Sequence, residues 1–463
     1  MTWFLTALLC VILVEIGMRL PFGASLSTLT RSTGRAMKTV RAAGVSDHWK
    51  EKAMGAYAGR TFAATGKLAL WLVILFGSAF LLAWAFGILD FLLGWVGILF
   101  TLFFATAYAT FRLKAGGGAA SGYGAMDKLL HRLALGAPSV AEMAFDIETG
   151  RLPEGTAEAA AGARHVFVAG LARAGTTVLM RRLYASGHFR SLTYRDMPFV
   201  LAPGLWSRLA RQGARKAVAG ERAHGDDLSV DVDSPEALEE PFWRLFAGDY
   251  IAPDHLRPHA PDGETVEKFR LYIAAILAAS DGKTRYLSKN NNNILRLPTI
   301  AAACPEALIL VPYRDPLDHA ASLLRQHGNF IDQQAGDPFV ASYMGWLAHH
   351  EFGGDHRPFR MDGSGGNDPA NGDPGTLNYW LALWCHVYEA LLENAPKSVH
   401  FVGYEALCTD PAVWVGIAEA AGIPPEAGAE MAFTQSPRKA SAEGVDPALL
   451  VRARGVFDRL AAA

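Results

Sequence analysis

The feature that most limits the fold of this chain is an apolar run that ends in a glycine turn and continues into a helix. The run reads Val-Phe-Val-Ala from Val166, the turn extends from Gly170 to Gly175, and Thr176 and Thr177 open the helix. Backbone N–H groups in such a turn, together with the positive end of the helix, can bind a phosphate. The pattern predicts an α/β domain with an anion site at the edge of its sheet.

This turn has the glycine spacing of the ATP-binding P-loop but lacks the lysine of that loop. The P-loop lysine reaches the β- and γ-phosphates, and here Thr176 occupies its position. Arg173 is the only cation within the turn. The loop therefore favours a donor whose reactive end differs from that of ATP. A tight connection without any ligand is the alternative, because α/β proteins also use this pattern for packing.

A second apolar run, residues 307–311, leads to Arg314 and then to a helix that carries Ser322 in its early turns. Arg314 is expected at the carboxyl edge of the sheet, where open α/β folds bind ligands. Its guanidinium can hold a phosphate through two hydrogen bonds, and Ser322 can add a neutral one. The alternative is an ion pair of Arg314 with Asp315 or Asp318 at a solvated helix start.

The two segments together resemble the nucleotide site of the sulfotransferases that use 3′-phosphoadenosine 5′-phosphosulfate (PAPS). The resemblance covers approximately residues 164–440. It implies a P-loop-like three-layer α/β domain with a central parallel sheet, PAPS as co-substrate, 3′-phosphoadenosine 5′-phosphate (PAP) as product, and no metal. It further implies that Arg314 and Ser322 bind the 3′-phosphate. The residues implied for the 5′-phosphosulfate are Arg173, Ala174, Gly175, Thr176 and Thr177.

Three further positions fit the family pattern in part. Lys289 lies where many members have a Lys in a Lys-Thr-Pro or Lys-Ser-Pro turn, but an Asn follows it here. Gly403 replaces the Arg of the family's Arg-Tyr-Glu segment, and Arg438-Lys439 is loosely similar to a basic loop that covers the 3′-phosphate in some members. We interpret Lys289 as a cation that assists the leaving phosphate, and Arg173 as one that stabilises the sulfate.

A base for the acceptor hydroxyl is expected between the two phosphate segments, where different branches of the family use a Glu or a His. Glu240 is the first candidate, Glu239 the second and His224 the third. An imidazole titrates near pH 6.5 without any shift, whereas a Glu needs burial to become basic enough. The alternative for the two acids is that they favour a helix start after Ser234-Pro235.

The cluster His349, His350 and Glu351 superficially resembles a metal site. Adjacent imidazoles point to different faces, however, and the second His of the zinc pattern His-Glu-x-x-His is missing. We therefore predict no metal here and expect an acceptor-site or structural role. The Gly- and Asp-rich stretch 353–375 is expected to be a long loop, either a lid or a surface segment.

Two uncharged apolar stretches, Leu68 to Phe86 and Phe91 to Phe111, precede this domain. Each approaches the roughly 20 apolar residues that cross a bilayer as a helix, so a transmembrane hairpin is predicted. The apolar run 3–18 contains Glu15, and we favour an uncleaved span over a signal peptide or an interfacial helix. The expected domains are a possible N-terminal span (1–22), a basic cytoplasmic segment (23–67), the hairpin (68–111), a linker with an amphipathic segment (112–160) and the catalytic domain (161–463).

Basic residues on both sides of the hairpin indicate its orientation. Eight Lys and Arg lie in residues 24–67, and Arg112 and Lys114 follow the hairpin, so both flanks are expected in the cytosol. The net charge of −2 does not indicate the basic surface that binds nucleic acid. The four cysteines are scattered and do not have the spacing of zinc ligands. The abundance of Ala, Gly and Arg hints at a bacterial source, and hence the inner membrane.

These observations predict a multi-pass, membrane-anchored, PAPS-dependent sulfotransferase with a cytosolic catalytic domain. Its expected partners are the bilayer and a lipid, glycolipid or glycan acceptor. The alternatives are a P-loop-like nucleotide kinase or hydrolase, and a nucleotide-binding membrane scaffold without catalysis. The identity of the acceptor and the oligomeric state stay open.

Overall fold

The structure is a computed structural model, and the chain forms two compact units, Met1–Leu129 and Leu130–Ala463. The residues that the structure describes are 2–19, 47–115, 125–211, 220–221, 229–230, 235–280, 282–336, 338–361, 372–435 and 437–463.

The first unit is helical. Its helices are α1 (Thr2–Arg19), α2 (Asp47–Ala85), α3 (Leu89–Leu93) and α4 (Trp95–Ala115). Helix α1 packs against α2 and α4, and Leu9, Ala83 and Ile88 form a buried apolar cluster. The hydroxyl of Tyr108 in α4 donates a hydrogen bond of 3.1 Å to Oε1 of Glu15 in α1. The N-terminal apolar run is therefore part of this helical bundle.

One helix in the described part of the chain is long and apolar enough to cross a membrane. It comprises 33 residues, Ala53–Ala85, and its apolar 18-residue window has a mean hydropathy of 2.3. The helix includes most of the first stretch of the predicted hairpin. The second stretch is divided at Gly94 between α3 and α4, and its described apolar helix, Trp95–Tyr108, is shorter, as is Thr2–Glu15. The second span and the N-terminal span therefore stay predictions.

The second unit is an α/β domain. Its strands are β1 (Val166–Val168), β2 (Gly220–Glu221), β3 (Ser229–Val230), β4 (Leu287–Lys289), β5 (Leu308–Tyr313) and β6 (Val399–Gly403). Helix α5 (Ala125–Ala134) contains the boundary between the units. The α-helices that follow it are α6 (Pro138–Thr149), α7 (Thr156–Ala161), α8 (Thr176–Ala185), α9 (Pro203–Arg211), α10 (Glu240–Phe246), α11 (Gly263–Ala278), α12 (Leu297–Ala303), α13 (Pro316–Gly336), α14 (Pro338–Trp346), α15 (Leu377–Asn394), α16 (Tyr404–Thr409), α17 (Pro411–Ala421) and α18 (Pro447–Ala462). Short 3₁₀ helices lie at Tyr194–Asp196, Gly248–Tyr250 and Asn291–Leu295.

Helices α6 and α7 of this unit lie almost entirely in residues 112–160, which are predicted from the sequence to be a linker with an amphipathic segment. Phe145 of α6 and Ala160 of α7 are buried in its main core. The apolar face of these helices therefore packs against the α/β domain.

A four-stranded sheet with the order β4-β1-β5-β6 forms the centre of this unit, and all its neighbouring strands are parallel. Since parallel strands end at one edge, the loops after β1, β4 and β5 meet there. The chain leaves β1 towards the β4 side and leaves β5 towards the β6 side. The two connections therefore diverge between β1 and β5, which is where open α/β sheets bind ligands.

The two faces of the sheet pack against separate layers of helices. Alternate residues of a strand point to opposite faces, and Val166 and Val168 contribute to one core with α8 and α17. Phe167 and Ala169 contribute to the other core, which includes residues of α11, α13, α15 and α18. The predicted three-layer α/β domain with a central parallel sheet is therefore confirmed.

Candidate active site

The loop between β1 and α8 has the backbone conformation of an anion-binding turn. Gly170 (φ 140°), Arg173 (φ 70°) and Gly175 (φ 95°) all have positive φ values. A Cβ at Gly175 would lie 2.6 Å from Cδ2 of the Tyr404 ring, so contact as well as conformation requires glycine. Left-handed residues in a turn bring successive N–H groups to one side, which creates a concavity for anions.

The helix after this loop begins as the sequence predicts. Thr176 is its first residue and is buried, Ala174 in the loop is fully buried, and Thr177 is partly exposed. The N-terminus of α8 therefore adds its free N–H groups and its dipole to the loop.

Arg314 is buried just beyond the end of β5. Its guanidinium lies over the Tyr404 ring, 5.1 Å from the ring centroid, and its Nε lies 3.9 Å from Oε1 of Glu405. That distance is too long for a hydrogen bond, and this buried Nε has no hydrogen-bond acceptor among the described residues. An unsatisfied, buried and charged N–H is costly, and a phosphate oxygen would satisfy it. The arrangement fits an anion such as the 3′-phosphate of PAPS.

Ser322 joins the two predicted phosphate segments. The Nε of Arg173 donates a hydrogen bond of 3.3 Å to the Ser322 hydroxyl, across 149 positions in the sequence. Ser322 is buried in α13, the helix that follows Arg314. The structure therefore brings the loop after β1 and the segment after β5 together at the point where their connections diverge.

Further cations lie close to Arg314. Burial, together with the positive charges of Arg438 and Arg314, lowers the pKa of Arg325 in α13. Lys439 donates a hydrogen bond of 2.8 Å to Oδ2 of Asp318, one helical turn before Ser322. The basic pair Arg438-Lys439 thus lies against α13. Asp315, Asp318 and Glu405 lie among these cations and offset part of the positive field that would attract an anionic ligand.

Lys289 is placed at the same sheet edge by strand pairing. It is the last residue of β4, is buried, and lies in register with Val168 of β1, two residues before the glycine loop. The next residue, Asn290, donates its backbone N–H to the carbonyl of Val168 at 3.1 Å. The position suits a cation that acts at the donor phosphates, and that catalytic role stays a prediction.

Glu240, the first candidate base, forms a buried ion pair with Arg296. Both terminal guanidinium nitrogens donate to its carboxylate at 2.9 Å, Nη1 to Oε2 and Nη2 to Oε1. The Tyr250 hydroxyl donates to Oε1 and the Asn290 side-chain amide to Oε2. Both charged groups are at most 1% exposed. Two donors on each oxygen and a facing positive charge engage this buried carboxylate fully, and its role as the base stays a prediction.

Glu239, the second candidate, is enclosed in the same way. Its Oε1 accepts hydrogen bonds from Nε1 of Trp243 at 2.9 Å and from Nδ2 of Asn293 at 3.2 Å. Its Oε2 accepts one from the Tyr286 hydroxyl at 3.0 Å. The geometry indicates that both acids stabilise the segment after β4. His224, the third candidate, lies outside the described residues.

Glu351, for which the sequence predicts an acceptor-site or structural role, lies close to the loop after β1. It lines a small, mainly apolar cavity together with Leu171 and Ala172 of that loop, beside Trp380. Asn291 donates its side-chain amide to Oε1 of Glu351 at 2.9 Å. No local pattern in the sequence indicates this proximity, because the fold creates it. In the described part of the chain no group of three His, Cys, Asp or Glu could hold a metal.

The charge state of Glu351 follows from its partners. Burial alone would raise the pKa of this carboxyl, but the imidazole of His349, 3.5 Å away, and the hydrogen bond from Asn291 outweigh burial and lower the pKa to about 2. The group is therefore ionised at neutral pH. It is a buried hydrogen-bond acceptor next to the loop after β1, residues 170–175, which we call the phosphate loop.

Four buried imidazoles predict how stability depends on pH. Burial lowers the pKa of His165 and His356 to about 4, and that of His259 and His319 to about 3. These groups stay neutral in the folded protein but take up protons in the unfolded chain below about pH 6.5. Stability is therefore complete above that pH and is lost as the pH falls towards 4, by up to about 1.4 kcal/mol per pH unit for each imidazole.

Thermal unfolding of the full chain in detergent, followed between about pH 7.5 and pH 4.5, measures this effect. The midpoint should be constant above about pH 6.5 and should fall below it. His400→Gln is the matched control, because His400 is exposed on β6, and it should keep the wild-type profile. A midpoint unchanged between about pH 7 and pH 5 would contradict the neutral state of the buried imidazoles.

Comparison with known proteins relates part of the second unit to one family. Residues 165–357 match the family model described as "Sulfotransferase family". The matched segment contains the loop after β1, Lys289, Arg314, Ser322 and Glu351. The match relates this segment, which is less than half of the chain, to the sulfotransferase family and supports sulfotransferase activity.

Solved structures to which this chain shows a limited similarity include two mycobacterial sulfotransferases. STF9 from Mycobacterium avium has 16% identity and a TM-score of 0.40, with 71% of this chain and 83% of that chain covered. STF1 from Mycobacterium tuberculosis H37Rv has 17% identity and a TM-score of 0.38, with 72% and 85% covered. A search of curated protein sequences gave no match.

Proposed function

We propose that the protein transfers the sulfuryl group of PAPS to a hydroxyl or amine of an acceptor. The observation that carries this proposal is the buried Arg314, whose Nε has no hydrogen-bond acceptor in the described part of the chain, next to the Ser322 that binds Arg173 of the phosphate loop. A second phosphate remote from the reacting group distinguishes PAPS from ATP. A site with two separate cationic positions suits a donor with two separate phosphate groups.

The residues of the two segments divide the binding of the donor between them. Arg314 and Ser322 would hold the 3′-phosphate, and the loop from Arg173 to Thr177 would hold the 5′-phosphosulfate. When bound, PAPS supplies a sulfuryl group attached to a phosphate leaving group. Arg173 and the N–H groups of the loop would stabilise the charge that develops there. Lys289 would compensate the charge of the departing phosphate.

Glu351 is our candidate for orienting the acceptor hydroxyl, by accepting a hydrogen bond from it. It is ionised, buried and close to the loop after β1, but its low pKa makes it a weak base, so the base stays one of Glu240, Glu239 and His224. Glu351→Gln keeps the shape but removes the charge, and it should lower kcat by about 10- to 150-fold, the effect of losing a charge-assisted hydrogen bond of roughly 1.5–3 kcal/mol. Affinity for PAP should stay unchanged, because no donor phosphate is bound by this group. Steady-state kinetics and calorimetry measure the two effects.

Asp355→Asn is the matched control for Glu351→Gln, since Asp355 is an acid of the same segment with a side chain 64% exposed. It should leave kcat within about threefold of wild type, as expected for a surface acid. Wild-type kcat in Glu351→Gln would exclude a role of this carboxylate in orienting the acceptor.

We further propose that the enzyme is anchored in a bacterial inner membrane, with the catalytic unit in the cytosol. The apolar length of α2 supports an anchor, and the basic residues on both flanks of the predicted hairpin support the orientation. An enzyme held at the bilayer encounters lipid-linked molecules at high local concentration. A lipid, glycolipid or lipid-linked glycan is therefore the proposed acceptor.

Two measurements test the function. Calorimetry of the detergent-solubilised chain against PAP, ADP and ATP should show binding of PAP and much weaker binding of ATP. Tight binding of ATP without binding of PAP would instead indicate a nucleotide kinase or hydrolase. Transfer of labelled sulfate from PAPS to bacterial membrane extracts should then label a lipid or glycan. Binding of PAP without any labelled product across many extracts would indicate a non-catalytic scaffold.

A further inference from the structure

A histidine outside the phosphate loop contacts the backbone of that loop. His319 lies on α13, between Arg314 and Ser322 in the sequence, and is fully buried. Its Nε2 lies 2.8 Å from the carbonyl oxygen of Ala172, the residue before Arg173 in the loop. The contact connects the helix of the predicted 3′-phosphate site with the loop of the predicted 5′-phosphate site.

The direction of this hydrogen bond is fixed by a second contact. Nε1 of Trp384, on α15, lies 3.1 Å from Nδ1 of His319. An indole N–H can only donate, so Nδ1 must accept and the proton of the neutral imidazole must lie on Nε2. His319 therefore donates to the Ala172 carbonyl. Burial, with the charges of Arg314 and Arg173, lowers its pKa to about 3, which keeps this single tautomer at neutral pH.

The hydrogen bond determines how one peptide group of the loop is turned. The carbonyl of Ala172 and the N–H of Arg173 belong to the same planar trans peptide and point in opposite directions. Holding the carbonyl towards His319 turns the N–H of Arg173 away from it. A flipped peptide would instead present a carbonyl oxygen, and hence negative partial charge, to the phosphate. The positive φ of 70° at Arg173 is an uncommon conformation for a residue with a side chain, and it needs such support.

We infer that His319 is a positioning residue for the loop predicted to bind the 5′-phosphosulfate, because its hydrogen bond keeps the Ala172 carbonyl out of the anion site. Trp384 acts with His319, since its indole N–H selects the tautomer that donates to Ala172. The inference rests on the proposed PAPS-dependent function. It assigns these residues to the 5′ end of the donor. His319 nevertheless lies in the sequence segment that provides the 3′-phosphate contacts.

Two ligands that differ by one phosphate test the inference. PAP carries both phosphates, whereas adenosine 3′-monophosphate lacks the 5′-phosphate. In the full chain, His319→Leu removes the donor and should weaken PAP binding about 10- to 100-fold, as for loss of support for a charged hydrogen bond. Binding of adenosine 3′-monophosphate should change less than about threefold. His319→Gln, whose amide can donate to Ala172 and accept from Trp384, should restore most of the PAP affinity.

Trp384→Phe and His386→Gln complete the design. Trp384→Phe leaves the loop and His319 intact but removes the N–H that donates to Nδ1 of His319, so the imidazole proton can lie on either nitrogen. This variant should weaken PAP binding about 2- to 5-fold without changing the affinity for adenosine 3′-monophosphate. His386 is another buried imidazole, whose Nε2 accepts the backbone N–H of Met361 at 2.8 Å. His386→Gln should leave the ratio of the two affinities at its wild-type value.

Binding of PAP to the wild-type chain and to His319→Leu tests the proposed function and the positioning role separately. If the wild-type chain does not bind PAP, the proposed function is wrong. If the wild-type chain binds PAP but His319→Leu retains the affinity, or loses both ligands equally with no rescue by Gln, the positioning role is wrong.

Discussion

Arg314→Ala should weaken PAP binding by about 10- to 150-fold, the effect of removing charge-assisted hydrogen bonds of roughly 1.5–3 kcal/mol. Its guanidinium is buried and has an N–H group without an acceptor among the described residues, so a bound phosphate would be poorly screened by water. Adenosine 5′-phosphosulfate lacks the 3′-phosphate, and its affinity should change by less than about threefold. Calorimetry with both nucleotides measures the difference.

Arg459→Ala is the control for Arg314→Ala, since it removes an exposed arginine from the C-terminal helix α18. It should leave both affinities at wild-type values, which excludes an effect of net charge alone. An equal loss of affinity for the two nucleotides in Arg314→Ala would show that Arg314 does not bind the 3′-phosphate. The ATP-type alternative would then regain support.

Glu240→Gln should lower the free energy of unfolding by about 3–5 kcal/mol, because it removes the carboxylate that forms the ion pair with the fully buried Arg296. Activity should fall together with the fraction of folded protein, because the variant loses a supporting pair and keeps its reacting groups. Chemical denaturation of the full chain in detergent, with activity measured per folded molecule, tests both statements. A stable but inactive Glu240→Gln variant would instead restore Glu240 as the base.

Two further variants make this test specific. The double variant Glu240→Gln/Arg296→Met removes both charges, and its loss should be smaller than the sum of the two single losses. Glu389→Gln breaks the ion pair with Arg452, whose side chains are 24% and 33% exposed. That substitution should cost only about 1 kcal/mol or less, because water compensates a partly exposed charge.

The phosphate loop and the Arg314 segment could be predicted from sequence because each is a local pattern. An apolar strand, a glycine turn and a helix start lie within a dozen residues, and backbone sterics largely determine their shape. The contact of Arg173 with Ser322 required the sheet order as well, since only the parallel β1-β5 pair brings the two segments together.

The base could not be predicted in this way, because burial and partners decide the chemistry of a carboxyl group. Glu240 and Arg296 are 56 positions apart, and no periodicity links them. For Glu351, the neighbouring residues in the sequence resemble a metal site only superficially, whereas the fold places this carboxylate beside the loop after β1. Charge and hydropathy indicate which residues are unusual inside a protein, but tertiary contacts decide what they do.

In the first unit, hydropathy located an apolar helix but not its limits. Helix α2 begins at Asp47, well before the uncharged stretch, because alanine and other good helix formers continue the helix through the polar residues. Gly94 then ends α3 after five residues. A window of hydropathy averages over such a break, so the second stretch looked continuous in the sequence.

The hydroxyl of Ser322 couples the binding of the 3′-phosphate to the binding of the 5′-phosphosulfate. While its oxygen accepts the hydrogen bond from Arg173, its own proton is still available for an oxygen of the 3′-phosphate. Each of the two bonds polarises the hydroxyl in the direction that strengthens the other. A 3′-phosphate would therefore tighten the hold on the cation that faces the sulfate, and by thermodynamic reciprocity an occupied 5′ loop would tighten the 3′ contact. One shared hydroxyl makes the two recognition events a single cooperative unit.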